Sequence, residues 1–298
     1  MTYDEPRTYD VIVIGGGPAG LSGAVALGRA LRPVLVIDSG APRNAPAEGI
    51  HNFLTRDGMP PAEFLAAGRE EVRRYGGTIV DDEVTAARGT VADGFEVDLA
   101  GGGTRRARRL LVTTGLVDRL PDIPGLAEHW GHTVLHCPYC HGYEMRGRSI
   151  GVLAVNERAT EQARLWRQWS PDVQIIPGDQ VAEIEEKGVR LTDGRFVARD
   201  ALVIAAPMAA RAGFLVSLGL EAADHPSGIG SYVPAVDPSG RSAVPGVWVA
   251  GNVTDPMGQV ITSAAAGMTA GAAINADLIT DETRQAVELY RSAVATSV

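Results

Sequence analysis

The apolar positions of this chain fall first into short continuous runs and only then into helical spacing. Val11 to Ile14 is unbroken apolar sequence, the mark of a strand buried on both faces. It leads through GGGPAG into an Ala- and Leu-rich stretch from about Ala19 to Leu31 that reads as a helix, and PVLVID follows as a second strand. Strand, glycine turn, helix and strand together open a doubly wound parallel sheet. Past the loop APRNAPAEGIHNFLTRDGMP, the spacing predicts an amphipathic helix from about Ala62 to Tyr75. Strands are predicted near Thr78 to Val80, Phe95 to Leu99 and Leu110 to Thr113, and AGGGTRR suits a hairpin between the last two.

The texture changes near Asp118, where DRLPDIPG reads as a proline-marked connection. From Ser149 the pattern restarts, with SIGVLAV as a strand, Glu157 to Trp169 as a helix, VQIIPG as a strand, a hairpin around TDGRF, and ALVIAAP as a strand. After about Val236 the first texture returns: VPGVWVAGNVTD is a strand ending in a glycine turn, then comes a small-residue helix from about Gln259 to Leu278. The expected fold class is α/β, with two Rossmann-like domains and the second inserted in the first. Residues 1–116 and 237–298 form one domain, and 117–236 the other.

Composition narrows the function. A chain of 298 residues, 45% apolar, can bury a sizeable core. Its formal charge of −9 opposes nucleic acid and anionic lipid as partners. The one basic cluster, Arg105 to Arg109, reads as a solvated strand edge. The opening MTYDEPRTYD fits neither a signal nor a transit peptide, and no apolar run nears the roughly 18 residues of a membrane span. A cytoplasmic protein is expected.

Gly15, Gly17 and Gly20 form G-x-G-x-x-G between a strand and a helix. The first glycine permits the tight turn, the second lets backbone approach a pyrophosphate at the helix N-terminus, and the third allows close packing. Asp38, at the end of the second strand, is placed to accept from a ribose hydroxyl. This is a dinucleotide site, and the motif alone does not separate NAD from FAD. The later segment does: a strand delivering Gly251 and Asn252, then a helix starting near Gln259, resembles the second flavin-contacting motif of two-domain flavoprotein disulfide reductases. That resemblance implies FAD, with Asn252 standing where an acidic ribityl ligand is usual.

The only two cysteines, Cys137 and Cys140, lie in HCPYCHGYE between His136 and His141. Three readings are open: a redox pair, part of a metal site, or buried thiols. A structural zinc site needs four ligands, and no second Cys/His cluster lies nearby in sequence, so no metal is expected. Taken in order, GGGPAG, HNFLTRDG, LLVTTGLVDRLPDIPG, the C-x-x-C and AGNVTDPMGQVIT resemble the low-molecular-weight thioredoxin reductases over nearly the whole chain. The resemblance implies a homodimer, Cys140 as the flavin-side sulfur and Cys137 as the interchange thiol. It also implies FAD contacts from Pro18 and Ala19, Ser39, Asn52, Thr114 and Gly115, and Gln259 and Val260.

Two departures redirect the reading. After SIGVLAV the chain has NERATEQARLW, with no glycine in the turn where a nicotinamide dinucleotide would sit. His141 stands after the second cysteine, where thioredoxin reductases usually have an acid, and an imidazole can take a proton from an incoming thiol. CPYCHGYE resembles the FAD-dependent dithiol oxidases that close disulfides in natural products. The implied activity oxidises a small-molecule dithiol, with O2 as acceptor and hydrogen peroxide as product. His141 is the expected base and His136 the second candidate; His51 is a further pocket candidate. A thioredoxin reductase fed by NADPH or ferredoxin, and a non-catalytic flavoprotein, are the alternatives.

Overall fold

The computed structural model describes residues 9–296; most of the opening segment, read above as free of targeting signals, lies outside them. In chain order the elements are β1 (Tyr9–Ile14), α1 (Pro18–Arg29), β2 (Val34–Asp38), α2 (Pro61–Arg74), β3 (Thr78–Asp81), β4 (Val84–Thr90), β5 (Gly94–Leu99), β6 (Thr104–Val112) and β7 (Leu116–Asp118). There follow α3 (Leu126–His129), β8 (Val134–Leu135), α4 (Pro138–His141), β9 (Ile150–Ala154), α5 (Ala159–Trp166), β10 (Val173–Pro177), β11 (Val181–Glu185), β12 (Gly188–Leu191), β13 (Phe196–Ala198) and β14 (Ala201–Val203). The chain closes with β15 (Met208–Ala210), β16 (Ala223–Asp224), β17 (Ser231–Tyr232), β18 (Val247–Val249) and α6 (Val260–Thr296).

One sheet runs β3-β2-β1-β6-β5-β4, with β18 also against β6. Its β1, β2, β3, β6 and β18 are mutually parallel. Alternate residues of the continuous apolar runs feed opposite cores. Ile12, Ile14, Leu35, Ile37, Leu110 and Val112 pack on the side of β4 and β5, while Val11, Val13, Val34, Val36 and Leu111 pack under α1 and α6. A second sheet, β10-β9-β14-β8, is parallel and likewise buried on both faces. Between the sheets the chain crosses once in each direction, at β7 and β15, which pair antiparallel.

Helices α1 and α6 cross backbone to backbone. A Cβ on Gly267 would lie 1.9 Å from the carbonyl oxygen of Ala19, and one on Gly271 2.8 Å from that of Gly23. The small-residue composition of the last helix is therefore a packing requirement, and α6 continues well past Leu278, to Thr296.

The arginine run is not a solvated strand edge. Arg105 to Arg109 lie in β6, which is hydrogen-bonded on both sides. Arg109 is only 2% exposed, and its Nε donates to Asp277 at 2.6 Å. Arg108 reaches Asp10 and Glu282, and Arg32 grips the same Glu282 with two nitrogens. The acids belong to the extended part of α6, so the basic run pins that helix to the sheet. These partners lie over 160 residues away in sequence, which is why local pattern misread the run. The predicted helix from Glu157 to Trp169 is also shorter, because Asn156 holds the turn before it, as shown below.

Hydrogen bonds from Arg32 and Arg108 hold the Glu282 carboxyl down to about 2. A depressed carboxylate stabilises the fold above its unfolded value of about 4.3, and this contribution is lost as pH falls toward the folded value. Glu282→Gln is accordingly expected to lower the melting temperature at pH 7. The gap to wild type should hold down to about pH 5 and narrow by pH 3; a gap unchanged at pH 3, or absent at pH 7, would contradict this role.

Candidate active site

The carboxyl ends of β1, β2, β6 and β18 open on one cleft of about 900 Å³, where open α/β sheets bind ligands. Gly15 takes φ +107° there, and a Cβ on it would lie 2.5 Å from the Thr113 carbonyl oxygen. No protein atom lies within 4 Å of where a Gly17 side chain would begin, so its backbone faces open cleft. Gly20 sits behind the turn rather than on the cleft wall; a Cβ there would meet the Gly15 carbonyl oxygen at 1.9 Å. Pro18 and Ala19 start α1 on the cleft, and Ser39, Thr114 and Gly115 also line it. Asp38 lines it too, with one carboxylate oxygen held at 3.0 Å by Arg69, so the second oxygen is the one left for a ribose hydroxyl.

On the other wall stand Gly251, Asn252, Gln259 and Val260, where α6 begins. Asn252 donates its amide protons to the carbonyls of Asp255 at 2.9 Å and Gly258 at 2.8 Å. Only its Oδ1 remains free, and that is an acceptor, as a carboxylate would be. The amide therefore replaces the usual acid without reversing the polarity of the site. Two glycine cradles, two helix starts and acceptors at Asp38 and Asn252 fit an FAD stretched along the cleft.

Asn52 does not line the cleft. It adopts left-handed backbone, φ 61°, and its side-chain amide donates to the Tyr139 carbonyl at 2.8 Å. The expected cofactor contact is thus replaced by a tie between the HNFL loop and the cysteine helix. The φ is one that Asn adopts more readily than most residues. His51 does line the cleft, with Nδ1 3.4 Å from Asp57 and Nε2 3.9 Å from Glu144.

Cys137 and Cys140 are both half-buried free thiols on the cleft, and Cys137 is the residue at the N-terminal end of α4. Pro138 takes the first helical position, where no N–H is needed. The Cys140 thiol and the backbone N–H groups of Cys140 and Tyr139 donate to the Cys137 sulfur, drawing its pKa down to about 7 despite burial. The same hydrogen bond, together with burial, pushes Cys140 up. Cys137 is the thiolate of the pair and Cys140 its proton holder.

The two flanking histidines differ. His136 places Nδ1 3.2 Å from the Ile204 carbonyl, and since a carbonyl only accepts, Nδ1 carries the proton and Nε2 is the free base. Burial and the Arg43 guanidinium push its pKa below the usual histidine value. His141 has its Nδ1 buried, and burial lowers its pKa too, against the opposing pull of the Cys137 carbonyl and Glu144. Both rings line the cleft and both are neutral at pH 7.

Sequence reading missed Arg43. It lies in the loop after β2 and forks onto Asp118 at the end of β7, with Nε at 2.8 Å and Nη2 at 2.6 Å. Its charge favours the Cys137 thiolate. A lone arginine in a loop, 75 residues from its partner, leaves no local signal. Gln162 and Leu165 of α5 were missed as well, although they line the cleft beside the cysteines. Among the described residues no group of three or more His, Cys, Asp or Glu side chains is arranged to hold a metal ion.

The turn before α5 is closed by its own side chain. Asn156 donates to the Ala205 carbonyl at 2.7 Å, while its Oδ1 accepts the Arg158 backbone N–H at 3.0 Å. The turn has no glycine and is held by side-chain hydrogen bonds to backbone.

Comparison with known proteins places the chain. The pyridine nucleotide-disulphide oxidoreductase pattern matches residues 9–153. Thioredoxin reductase tcpT of Claviceps purpurea is 34% identical over 91% of this chain and 95% of its own length. Thioredoxin reductase sirT of Leptosphaeria maculans is 30% identical over 91% of this chain and 94% of its own. The crystal structure of HlmI superposes with a TM-score of 0.90 at 38% identity, covering 98% of this chain and 99% of that one. With its paired glycine cradles and C-x-x-C pair, the chain belongs to the thioredoxin reductase-like pyridine nucleotide-disulphide oxidoreductases, which are FAD-dependent flavoenzymes.

Proposed function

We propose that this protein is an FAD-dependent dithiol oxidase that closes an intramolecular disulfide in a small natural-product dithiol, with O2 as electron acceptor. The observation that carries the reading is the turn before α5, which has none of the glycines of a dinucleotide cradle and is tied instead by Asn156 to the Ala205 carbonyl and the Arg158 amide. Substrate, rather than a nicotinamide, then supplies the electrons. A homodimer in the cytoplasm, with domain limits at 116/117 and 236/237, belongs to the same reading.

One substrate thiolate attacks the Cys137–Cys140 disulfide at Cys137, and Cys140 leaves with the electron pair and then a proton. The second substrate thiol gives its proton to a base and attacks the sulfur joined to Cys137. The substrate disulfide forms as Cys137 departs. A leaving thiolate with a pKa of about 7 departs readily, so the hydrogen bonds around Cys137 favour substrate closure. His141, whose ring lines the cleft and whose pKa is lowered by burial, takes the substrate proton, and Nε2 of His136 is the alternative acceptor. FAD, which the turns at Gly15 and Gly251 would hold, would supply the two-electron acceptor for return of the cysteines to the disulfide, with O2 as the final acceptor and hydrogen peroxide as product. A thioredoxin reductase is the second reading, favoured by the names of the relatives and by the intact C-x-x-C.

Anaerobic mixing separates the two. A small dithiol should bleach the yellow holoenzyme within seconds and give peroxide when air is admitted, whereas NADPH should not; rapid bleaching by NADPH would favour the reductase. Cys140→Ser is expected to cut dithiol turnover to below about 1% of wild type while FAD stays bound, and substantial residual turnover would rule out this sulfur as the exit for electrons. The lowered pKa of His141 keeps it neutral to below pH 6.5, so wild-type rate should hold there and fall only as the ring gains a proton. His141→Ala should lose about 100-fold near pH 7 and recover above about pH 8.5, where free thiols ionise unaided. A pH-independent deficit would remove His141 from the proton path.

A further inference from the structure

A second hollow, of about 620 Å³, adjoins the cleft and is walled by Tyr139, Arg164, Leu165, Arg167, Gln168 and Trp169. Tyr139 stands between the two cysteines in sequence, and both it and Leu165 line the cleft as well. The hollow and the cysteine pair therefore share a wall. Trp169 is its fixed part. The ring meets Tyr139 edge-on with centroids 5.6 Å apart and lies 6.3 Å from the fully buried Trp166. It also sits so near Gly142, at the end of α4, that a Cβ there would come within 2.7 Å of the indole. The end of α5 is thus packed directly on the helix that carries the cysteines.

The charge in this hollow is of one sign. Arg164 and Arg167, three residues apart and so on one face, are both exposed. Among the described residues neither guanidinium has a hydrogen-bond or ion-pair partner, and no carboxylate lines the hollow. Arg164 even follows Glu161 at the helical spacing for an ion pair without forming one. Arg146, five residues past α4, differs: it donates to the Tyr143 carbonyl at 2.7 Å and lies over that tyrosine ring. Two unpaired guanidinium groups beside aromatic rings, in a chain of net charge −9, suit a carboxylate on a largely apolar stem.

We propose that this hollow is an anchoring subsite for a carboxylate on the dithiol substrate: the carboxylate binds Arg164 and Arg167, the stem lies along Tyr139 and Leu165, and the thiols reach Cys137. The substrate is then an anionic dithiol with its charge on an arm long enough to pass Tyr139. This rests on the dithiol-oxidase reading above and adds a recognition element outside the cleft.

The test uses FAD-loaded enzyme under anaerobic conditions with dihydrolipoate and dihydrolipoamide, which share the dithiol and chain and differ in the charge at the end of the arm. The readout is the concentration giving half-maximal flavin bleaching. Wild type should prefer dihydrolipoate by about 5-fold at low salt, the size of one exposed ion pair, and by less at about 0.5 M salt. The double variant Arg164→Gln, Arg167→Gln should erase the preference by raising the dihydrolipoate value alone, whereas Arg146→Gln should keep it. Equal wild-type values, a preference that survives in the double variant, or one lost equally in Arg146→Gln would overturn the proposal and leave the oxidase reading intact. Bleaching by reduced thioredoxin that the double variant loses, with no preference between the small probes, would assign the arginines to a protein partner and overturn it too. Failure of both probes to bleach wild type would bring down the oxidase reading and this proposal together.

Discussion

The site depends on how closely α1 is allowed to approach its neighbours. Gly20 lets the helix sit on the turn at Gly15, and Gly267 lets α6 touch the Ala19 carbonyl, each at a separation that no side chain would permit. Because α1 is clamped on both sides by backbone, its N-terminus and that of α6 open on the same cleft. Two positive helix ends there suit the phosphates and the reduced, anionic ring of a flavin. A methyl group at either contact would push a helix start outward, and the cleft would lose its walls before it lost its glycine motif.

Much of this was legible in the sequence because it is local. Unbroken apolar runs at β1, β2 and β6 signalled strands buried on both faces, and alternate residues do feed opposite cores. The small residues of α6 were visible as a texture, although their partner was not. What escaped was nonlocal. Asp277, Asp281 and Glu282 convert the run at Arg105 to Arg109 from apparent surface into the anchor of α6, and no window of sequence contains both halves. Arg43 and Asp118 meet across 75 residues, and β7 with β15 across about 90. The tie made by Asn52 was invisible for a related reason: the turn of its side chain toward the Tyr139 carbonyl depends on where α4 docks.

Substitutions that look damaging on paper are compensated by hydrogen-bond arithmetic. Asn252 stands where a carboxylate is usual, but two backbone carbonyls take its protons and leave an acceptor facing outward. Asn156 works the other way. A glycine at that turn would expose the Arg158 amide to a ligand, whereas the asparagine satisfies it from within. The same residue type therefore leaves an acceptor free at one turn and spends both ends of its amide on backbone at the other.

The asymmetry of the cysteine pair has a similar origin. Two identical thiols three residues apart share one proton, and the sulfur at the start of α4 is held as thiolate by the Cys140 thiol and by the backbone N–H groups of Cys140 and Tyr139. Cys140, one turn in, has burial and the negative Cys137 against it. The imidazoles follow the same logic: the Ile204 carbonyl fixes one proton of His136 in place, and burial outweighs the pull of the Cys137 carbonyl on His141. A ring nitrogen committed to a carbonyl fixes the tautomer and leaves the opposite nitrogen as the base. With both pKa values pushed down by burial, either ring enters the reaction as a neutral base, able to receive the proton of an incoming thiol.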